Sequence, residues 1–303
     1  MTLASAWQNW LSKRFKIDQE KQLKQSDVLV FIYQQGHLFL VLILITFIAG
    51  VNYANNLILG FCFLISAVLC VSFYLTFKQL HALKIEMHRY EVGQVGEALH
   101  LDLFFSQEQK QARYLWISVE GQLHQLQINE LKQLFRLRFL PAERGQFNYP
   151  VIRIWSVYPF GLVRAWTYLY LQQVSWIAPK AAVSAAENKN MHPRFEQDVD
   201  EFRELKDYRD GESLQAVAWK HAARGQGLYV KVFEQYQDQR LVEIHYDHMP
   251  SPSHEEKLSL MMGLAEQCEQ MHCAYSIFLP NAQLPSGTGE KQLMQAKLLL
   301  AQA

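Results

Sequence analysis

The sequence predicts a multi-domain chain in three parts. An apolar α-helical hairpin comes first, then an antiparallel β-sandwich-like domain, then a small α/β module. Three observations predict it. Two charge-free apolar runs stand in tandem, Leu38–Ala54 and Leu57–Phe77. From about Val92 the apolar residues recur with a period of two. From Arg240 onward, strand-like and helix-like stretches alternate.

The 303 residues suffice for about two ordinary domains besides a hairpin. Lys and Arg total 29, as do Asp and Glu, so no net field draws nucleic acid. Cys62 and Cys70 lie in an apolar run, and Cys268 and Cys273 have no further pair to complete a zinc site. All four read as reduced thiols of a cytosolic setting.

Residues 1–27 form a cytoplasmic N-terminal segment. Trp7, Trp10, Leu11, Phe15 and Ile17 interleave with Lys13, Arg14 and Lys16. The pattern fits an amphipathic helix on a membrane surface, and equally a short helix packed on the protein or a frayed tail.

Residues 28–77 form the transmembrane hairpin. A spanning helix needs about 20 apolar residues, and about 17 are tolerated. The second run meets this directly; the first meets it by starting near Val30. The link Asn52–Asn56 carries no charge and suits a tight turn. Lys13, Arg14, Lys16, Lys21 and Lys24 precede the first span, and Lys78, Lys84 and Arg89 follow the second. The positive-inside rule then places both ends in the cytoplasm.

Residues 78–180 form the β domain. Leu99, Leu101, Leu103 and Phe105 alternate with His100, Asp102 and Phe104; Leu115, Ile117 and Val119 repeat the period, as do Phe135, Leu137 and Phe139 against Arg136 and Arg138. Val151–Val157 and Tyr168–Trp176 are further strands. Glu120-Gly121, Glu143-Arg144-Gly145 and Pro159-Phe160-Gly161 are turn sequences.

Residues 181–303 open with a polar linker and then a dense stretch, Phe202–Glu234. Charges alternate along Phe202–Arg209, and Asp210–Ser213 reads as a turn. Leu214–Arg224 reads as a helix ended by Gly225 and Gly227, and Leu228–Glu234 as a strand. A metal-dependent hydrolase would use Asp207, Asp210 and Glu212 for a cation and Lys220 for charge. Against that stand the absence of a known metal spacing and of a glycine-rich phosphate loop. Eight Lys and Arg meet ten Asp and Glu between Arg194 and Arg240, so the stretch is no nucleic-acid surface either. A partner surface of Arg, Trp and Tyr fits it better. No catalytic residue, metal ligand or cofactor is expected.

Arg203-Glu204-Leu205-Lys206-Asp207-Tyr208-Arg209-Asp210-Gly211-Glu212, Ala218-Trp219-Lys220, Ala222-Ala223-Arg224, Leu228–Lys231 and Phe233-Glu234 carry a resemblance. They are similar to the signature of the bacterial family catalogued as domain of unknown function 58. That signature runs R-E-Y-x-P-G-D-D, then W-K-x-x-A-R-x-G, then a strand ending F-E. Here Lys206-Asp207 lengthens the first interval, and Asp210 and Glu212 replace the Pro and the first acidic position. Asn52-Tyr53, Asn55–Leu57, Tyr158–Leu162 and Ala165-Trp166 also resemble the family, so the likeness spans nearly the whole chain. It implies an inner-membrane protein with two passes and most of its mass in the cytoplasm. It also implies a truncated von Willebrand A-like C-terminal module. The role it implies is a part in ATPase-assisted protein maturation or complex assembly at the inner membrane, and the chain is read as a non-enzymatic interaction or scaffold protein. Its partners would be the lipid bilayer and proteins such as a MoxR-type AAA+ ATPase or von Willebrand A proteins. The motif residues expected to hold the stretch together or contact a partner are Arg203, Tyr208, Arg209, Gly211, Trp219, Lys220, Arg224, Lys231 and Glu234.

Arg240–Tyr246 reads as a strand and Ser253–Met271 as a helix with a Ser253–Glu256 capping box. Ala274–Leu279 is a second strand and Glu290–Ala301 a closing helix. Strand–helix–strand favours a parallel pair. Asp247 is followed by Met249 where a von Willebrand A metal motif has serine, so that motif is degenerate. His245, Asp247, His248 and His254 read as a polar strand end rather than a metal cluster.

Overall fold

In the computed structural model, residues 12, 14–182, 202–207, 219, 223, 229–233 and 241–303 are described. The chain divides into two compact units, Met1–Ala178 and Pro179–Ala301. Two apolar helices near the N-terminus precede a set of mixed and antiparallel sheets, and a small α/β region closes the chain.

The first unit begins with β1 (Lys16–Ile17), β2 (Glu20–Gln22) and β3 (Leu29–Ile32). The helices α1 (Gln34–Asn52) and α2 (Asn56–Leu80) follow. Then come β4 (Lys84–Arg89), β5 (Val92–Gln94), β6 (Leu99–Ser106), β7 (Arg113–Val119), β8 (Gln122–Ile128) and β9 (Lys132–Phe139). The last four are β10 (Gly145–Asn148), β11 (Ile152–Ser156), β12 (Val163–Leu171) and β13 (Val174–Ala178).

The helices pair because the turn between them is chemically closed. Asn55 caps α2, its side chain accepting from the backbone N–H of Leu57 at 2.9 Å and of Ile58 at 3.3 Å. Near the turn, a Cβ added at Gly50 would come within 2.8 Å of the Leu59 side chain, so glycine lets the helices approach there. The first helix starts at Gln34, not near Val30, because Val30 lies in β3, antiparallel to β12. An apolar strand is followed here by a helix that opens on Gln34-Gln35-Gly36-His37 before its apolar body.

Strands β2, β4, β6 and β9 form one antiparallel sheet. Strands β1, β12, β11, β7 and β8 form a second, with β3 also on β12. Strands β10, β13 and β5 make a third, in which β13 and β5 run parallel. Alternation builds the core. Leu99, Leu101, Leu103 and Phe105 from one sheet meet Leu115, Ile117, Ile154 and Leu169 from the other, together with Leu80 and Leu83 at the end of α2. Each such side chain contributes about 1.5–3 kcal/mol by leaving water. Glu120 and Gly121, with φ of 48° and 82°, make the two-residue link that pairs Val119 with Gln122. Two positive φ values match the twist of the flanking strands.

The expected strand Tyr168–Trp176 is two strands, since β12 ends at Leu171 and β13 begins at Val174 in a different sheet. The segment before the hairpin is helical at Ser12 and Arg14 and is no helix from Phe15 to Ile17. Arg14, Phe15, Lys16 and Ile17 alternate exposed and buried, the period of a strand. Leu23 and the residues just after α2 exchange backbone hydrogen bonds, Leu23 N–H to Leu83 O and Ala82 N–H to Leu23 O, each 2.9 Å. A hairpin returns its two ends to one place, so chain from both sides of it completes the same sheets.

In the second unit β14 (Phe202–Asp207) pairs antiparallel with β15 (Tyr229–Phe233). Then β16 (Leu241–His245), α3 (His254–Gln270), β17 (Ala274–Phe278), β18 (Gln283–Gly287) and α4 (Glu290–Gln302) follow. Strands β16 and β17 are parallel and α3 connects them. Leu258, Met261, Met262, Ala265 and Cys268 are buried on α3, as are Ile244, Tyr275 and Ile277 on the strands. The capping box differs from expectation. The Ser253 side chain makes no cap bond; Ser251 Oγ instead donates to Glu256 Oε2 at 2.5 Å and accepts from Ser253 N–H at 3.1 Å.

Candidate functional site

The motif stretch contributes a paired strand where only alternating charge was read. Arg203 lies on β14 at a register shift between Phe202 and Glu204, and Lys231 lies on β15 opposite Leu205. Asp207 is opposite Tyr229. Trp219 is exposed at 58%. Tyr208, Arg209, Asp210, Gly211, Glu212, Lys220, Arg224 and Glu234 lie outside the described residues, as does most of the helix read at Leu214–Arg224.

The histidines at the end of β16 and just after it are all engaged, the His245 and His248 rings with each other at 4.9 Å between centroids. The His245 ring stacks on Phe278 at 4.5 Å, and its Nε2 is 3.3 Å from Glu243 Oε2. His254 Nδ1 pairs with the Tyr246 hydroxyl at 2.8 Å. Asp247 sits in the short turn Tyr246–His248. Among the described residues no three His, Cys, Asp or Glu groups are placed to hold a metal ion.

What the first unit does bring together is a polar joint under the hairpin. Arg113 starts β7 in the same inward register as Leu115 and Ile117 and is buried. Its Nη1 donates to the carbonyls of Gln79 and His81, both at 2.9 Å, and of Lys78 at 3.2 Å. Its Nε donates to Gln107 Oε1 at 3.0 Å. The last carbonyls of a helix lack partners and carry partial negative charge, so a guanidinium suits them. Burial pulls the Arg113 pKa below its ordinary value, and the group stays charged because that value is so high. Gln79 completes the joint by accepting from Tyr114 N–H at 2.9 Å. Sequence reading passed over Arg113. The available signal was its phase, two residues before Leu115.

Beside this joint runs the turn between β11 and β12. Tyr158 O accepts from Thr76 Oγ1 at 3.0 Å, and Leu162 O accepts from Tyr33 N–H at 2.8 Å. Leu162, Val163 and Leu69 bury one another, with Phe39, Ile43 and Phe73 around them. A shallow cleft of about 340 Å³ opens here, lined by Tyr114, Trp116, Gln125, Ser156 and Tyr158–Gly161 among others. Tyr114 and Tyr158 pack with ring centroids 4.3 Å apart. The cleft holds no catalytic pairing of base and nucleophile: Ser156 Oγ is spent on Tyr114 O at 2.6 Å.

The two main sheets differ in charge. The first pairs its ions: Lys84 with Glu20 and Glu86, Lys132 with Glu86, and Arg136 with Asp102. The strands of the second hold no carboxylate at all. On its outer face Trp116, Trp155 and Trp166 stand side by side on three strands. Arg164 lies next to them, 4.7 Å from the Trp155 ring and 5.9 Å from the Trp166 ring.

No family model matches the chain, and no curated protein matches it. Among solved structures, the CARDB domain of a Pyrococcus furiosus protein, crystallised in complex with di-metal ions, is similar at 10% identity. That match covers 29% of this chain and 91% of the other, with a TM-score of 0.19. A likeness at that level carries no argument about function.

Proposed function

We propose that this is a two-pass membrane protein that acts without chemistry of its own, as an anchored platform for protein partners. One observation carries the membrane part. Both long helices turn apolar side chains outward, with Leu38, Leu44, Ile45, Leu57, Phe63 and Leu64 all exposed. Helices of 19 and 25 residues reach about 28 and 37 Å, which brackets a hydrocarbon core of about 30 Å. In water such a surface is an aggregation hazard; in lipid it is solvated. Lys21, Lys24, Lys78 and Lys84 cluster at the open end of the hairpin and no charge lies in its closed turn. That asymmetry favours both termini and both folded units in the cytoplasm of a bacterium.

The platform part rests on the resemblance of the motif and on the exposed Trp219, the residue type most often found at interface hot spots. The partner on this reading is a MoxR-type AAA+ ATPase or one of its clients, and the C-terminal module is von Willebrand A-like. The test is capture from detergent extracts with wild type, Trp219→Ala and Arg209→Ala. Wild type retains the ATPase and the variants lose it. A retained set without an ATPase, unchanged by either substitution, sinks the platform reading. Labelling Asn55→Cys from the two sides of the membrane checks the topology; reaction from the cytoplasmic side overturns it.

A further inference from the structure

The turn between β11 and β12 touches the hairpin at a depth that sets its surroundings. Helix α1 has 19 residues and is about as long as the hydrocarbon core is thick, so Gln34 stands at one boundary if α1 spans. Leu162 lies beside the first turns of that helix. A Cβ on Gly36 would come within 2.0 Å of the Leu162 carbonyl oxygen, and the Leu162 cluster extends to Phe39 and Ile43. A segment packed there is at the lipid boundary or just inside it. The residues it exposes are aromatic. Tyr158 and Phe160 are exposed on the turn, and so is Phe31 on the neighbouring strand. Aromatic rings of this kind favour the headgroup level of a bilayer.

Arg164 stands directly opposite Phe31 in the β3–β12 register. Its Nε is buried without a hydrogen-bond partner, and no carboxylate lies on any strand of its sheet. On the other sheet Lys84, Lys132 and Arg136 are each ion-paired, whereas the Arg164 guanidinium lies against two tryptophans with no carboxylate on its own sheet. Planar guanidinium recognises phosphate oxygens through paired N–H donors.

We propose that the Tyr158–Leu162 turn and Arg164 form a lipid clamp, in which the aromatic turn enters the acyl boundary and Arg164 takes the phosphate of an anionic phospholipid. The clamp rests on the spanning reading of the hairpin. It gives the β unit a third hold on the membrane beyond the two helix ends, and so sets its orientation over the bilayer.

The test uses the full chain in lipid nanodiscs, with Cys62, Cys70, Cys268 and Cys273 replaced and one nitroxide-labelled cysteine introduced at a time. Labels go at Phe160, Phe31, Leu64 and Leu140. Leu64 reports the hairpin. Leu140 follows the end of β9 that is remote from the start of β4, and so remote from the hairpin. Accessibility to oxygen and to a water-soluble nickel chelate gives depth. The clamp requires Phe160 and Phe31 to resemble Leu64 and not Leu140. If Leu64 reads lipid while both aromatic sites read water, the clamp is wrong and the spanning reading stands. If Leu64 reads water as well, both fall.

A second measurement follows spin-labelled phosphatidylglycerol against phosphatidylcholine. Arg164→Gln is expected to lower the preference for phosphatidylglycerol by about fivefold, the effect of one cation at an anionic surface. Arg138→Gln, an exposed cation near the remote end of β9, is expected to leave it unchanged. Equal behaviour of the two variants removes Arg164 from the clamp.

Discussion

Arg113 Nη1 donates to Gln79 O across 2.9 Å, and Gln79 Oε1 in turn accepts from the backbone N–H next to Arg113 across 2.9 Å. Strand β7 and the end of α2 are thereby locked by reciprocal bonds at two buried residues. Arg113→Met keeps the stem and deletes the donors. Three carbonyls and the Gln107 side chain then lose their partner, each buried unpaired group costing about 1–3 kcal/mol before relaxation. We expect a loss of about 3 kcal/mol in denaturant unfolding of the detergent-solubilised protein, with Arg113→Lys intermediate. A change within about 0.5 kcal/mol, the range of an ordinary surface substitution, argues that the joint contributes little.

At Gly36 the hairpin packs directly against the main chain of the β11–β12 turn. A methyl group there collides with main chain, which cannot swing aside as a side chain tip can. Gly36→Ala is expected to cost about 1–3 kcal/mol, as overpacked sites do. Gly60, on α2, has open space around its Cβ position and is the control. Thermal aggregation in detergent should fall to a lower temperature for the Gly36 variant and hold for Gly60→Ala. The reverse order sinks the account of the contact.

The parts legible in sequence are those in which one signal dominates. Charge-free length gave the hairpin away, and strict alternation marked β6, β7 and β9. The start near Val30 fails because the apolar β3 leads into the apolar body of α1 across only Gln34-Gln35-Gly36-His37, a polar break that also fits the interface of one longer helix. Strand β18, which contains Pro285, is not among the strands expected from the sequence; it stands at the sheet edge, where a missing donor is tolerated. Strands β1 and β2, of two and three residues, are too short to establish a period and exist because the hairpin brings their partners to them. Arg113 and Arg164 were hidden for a different reason. Their surroundings depend on what a distant segment places opposite them, the end of α2 for Arg113 and Phe31 of β3 for Arg164.

Asp102 gives a pH signature. Its hydrogen bonds from Arg136, 2.6 and 2.9 Å long, hold its carboxyl below the usual range, against the smaller opposing effect of burial. A depressed folded-state value means the stabilisation is complete above the unfolded value of about 3.9. It disappears as pH falls from there through the lower folded value. Asp102→Asn lacks this linkage. Urea midpoints of wild type and variant should therefore differ at neutral pH and converge on acidification below about pH 4. A gap that stays constant across that interval contradicts the assignment.

Cys268 is buried on the core side of α3, and burial together with neighbouring Cys273 and Glu269 pushes its thiol up to about 12. Thiolate is the reactive form, so at pH near 8 the folded protein holds almost none at this site. Alkylation by iodoacetamide, followed by mass mapping, should leave Cys268 unmodified in the native protein and modify it after denaturation. Rapid native labelling would mean that α3 opens from β16 and β17 on the timescale of the reaction. The same experiment on Trp219→Ala separates contact from packing. Trp219 is exposed, so its removal should leave Cys268 equally protected and stability within about 0.5 kcal/mol of wild type. Loss of partner capture without loss of protection then assigns Trp219 to a binding surface. Loss of both together assigns it to the packing of the C-terminal unit.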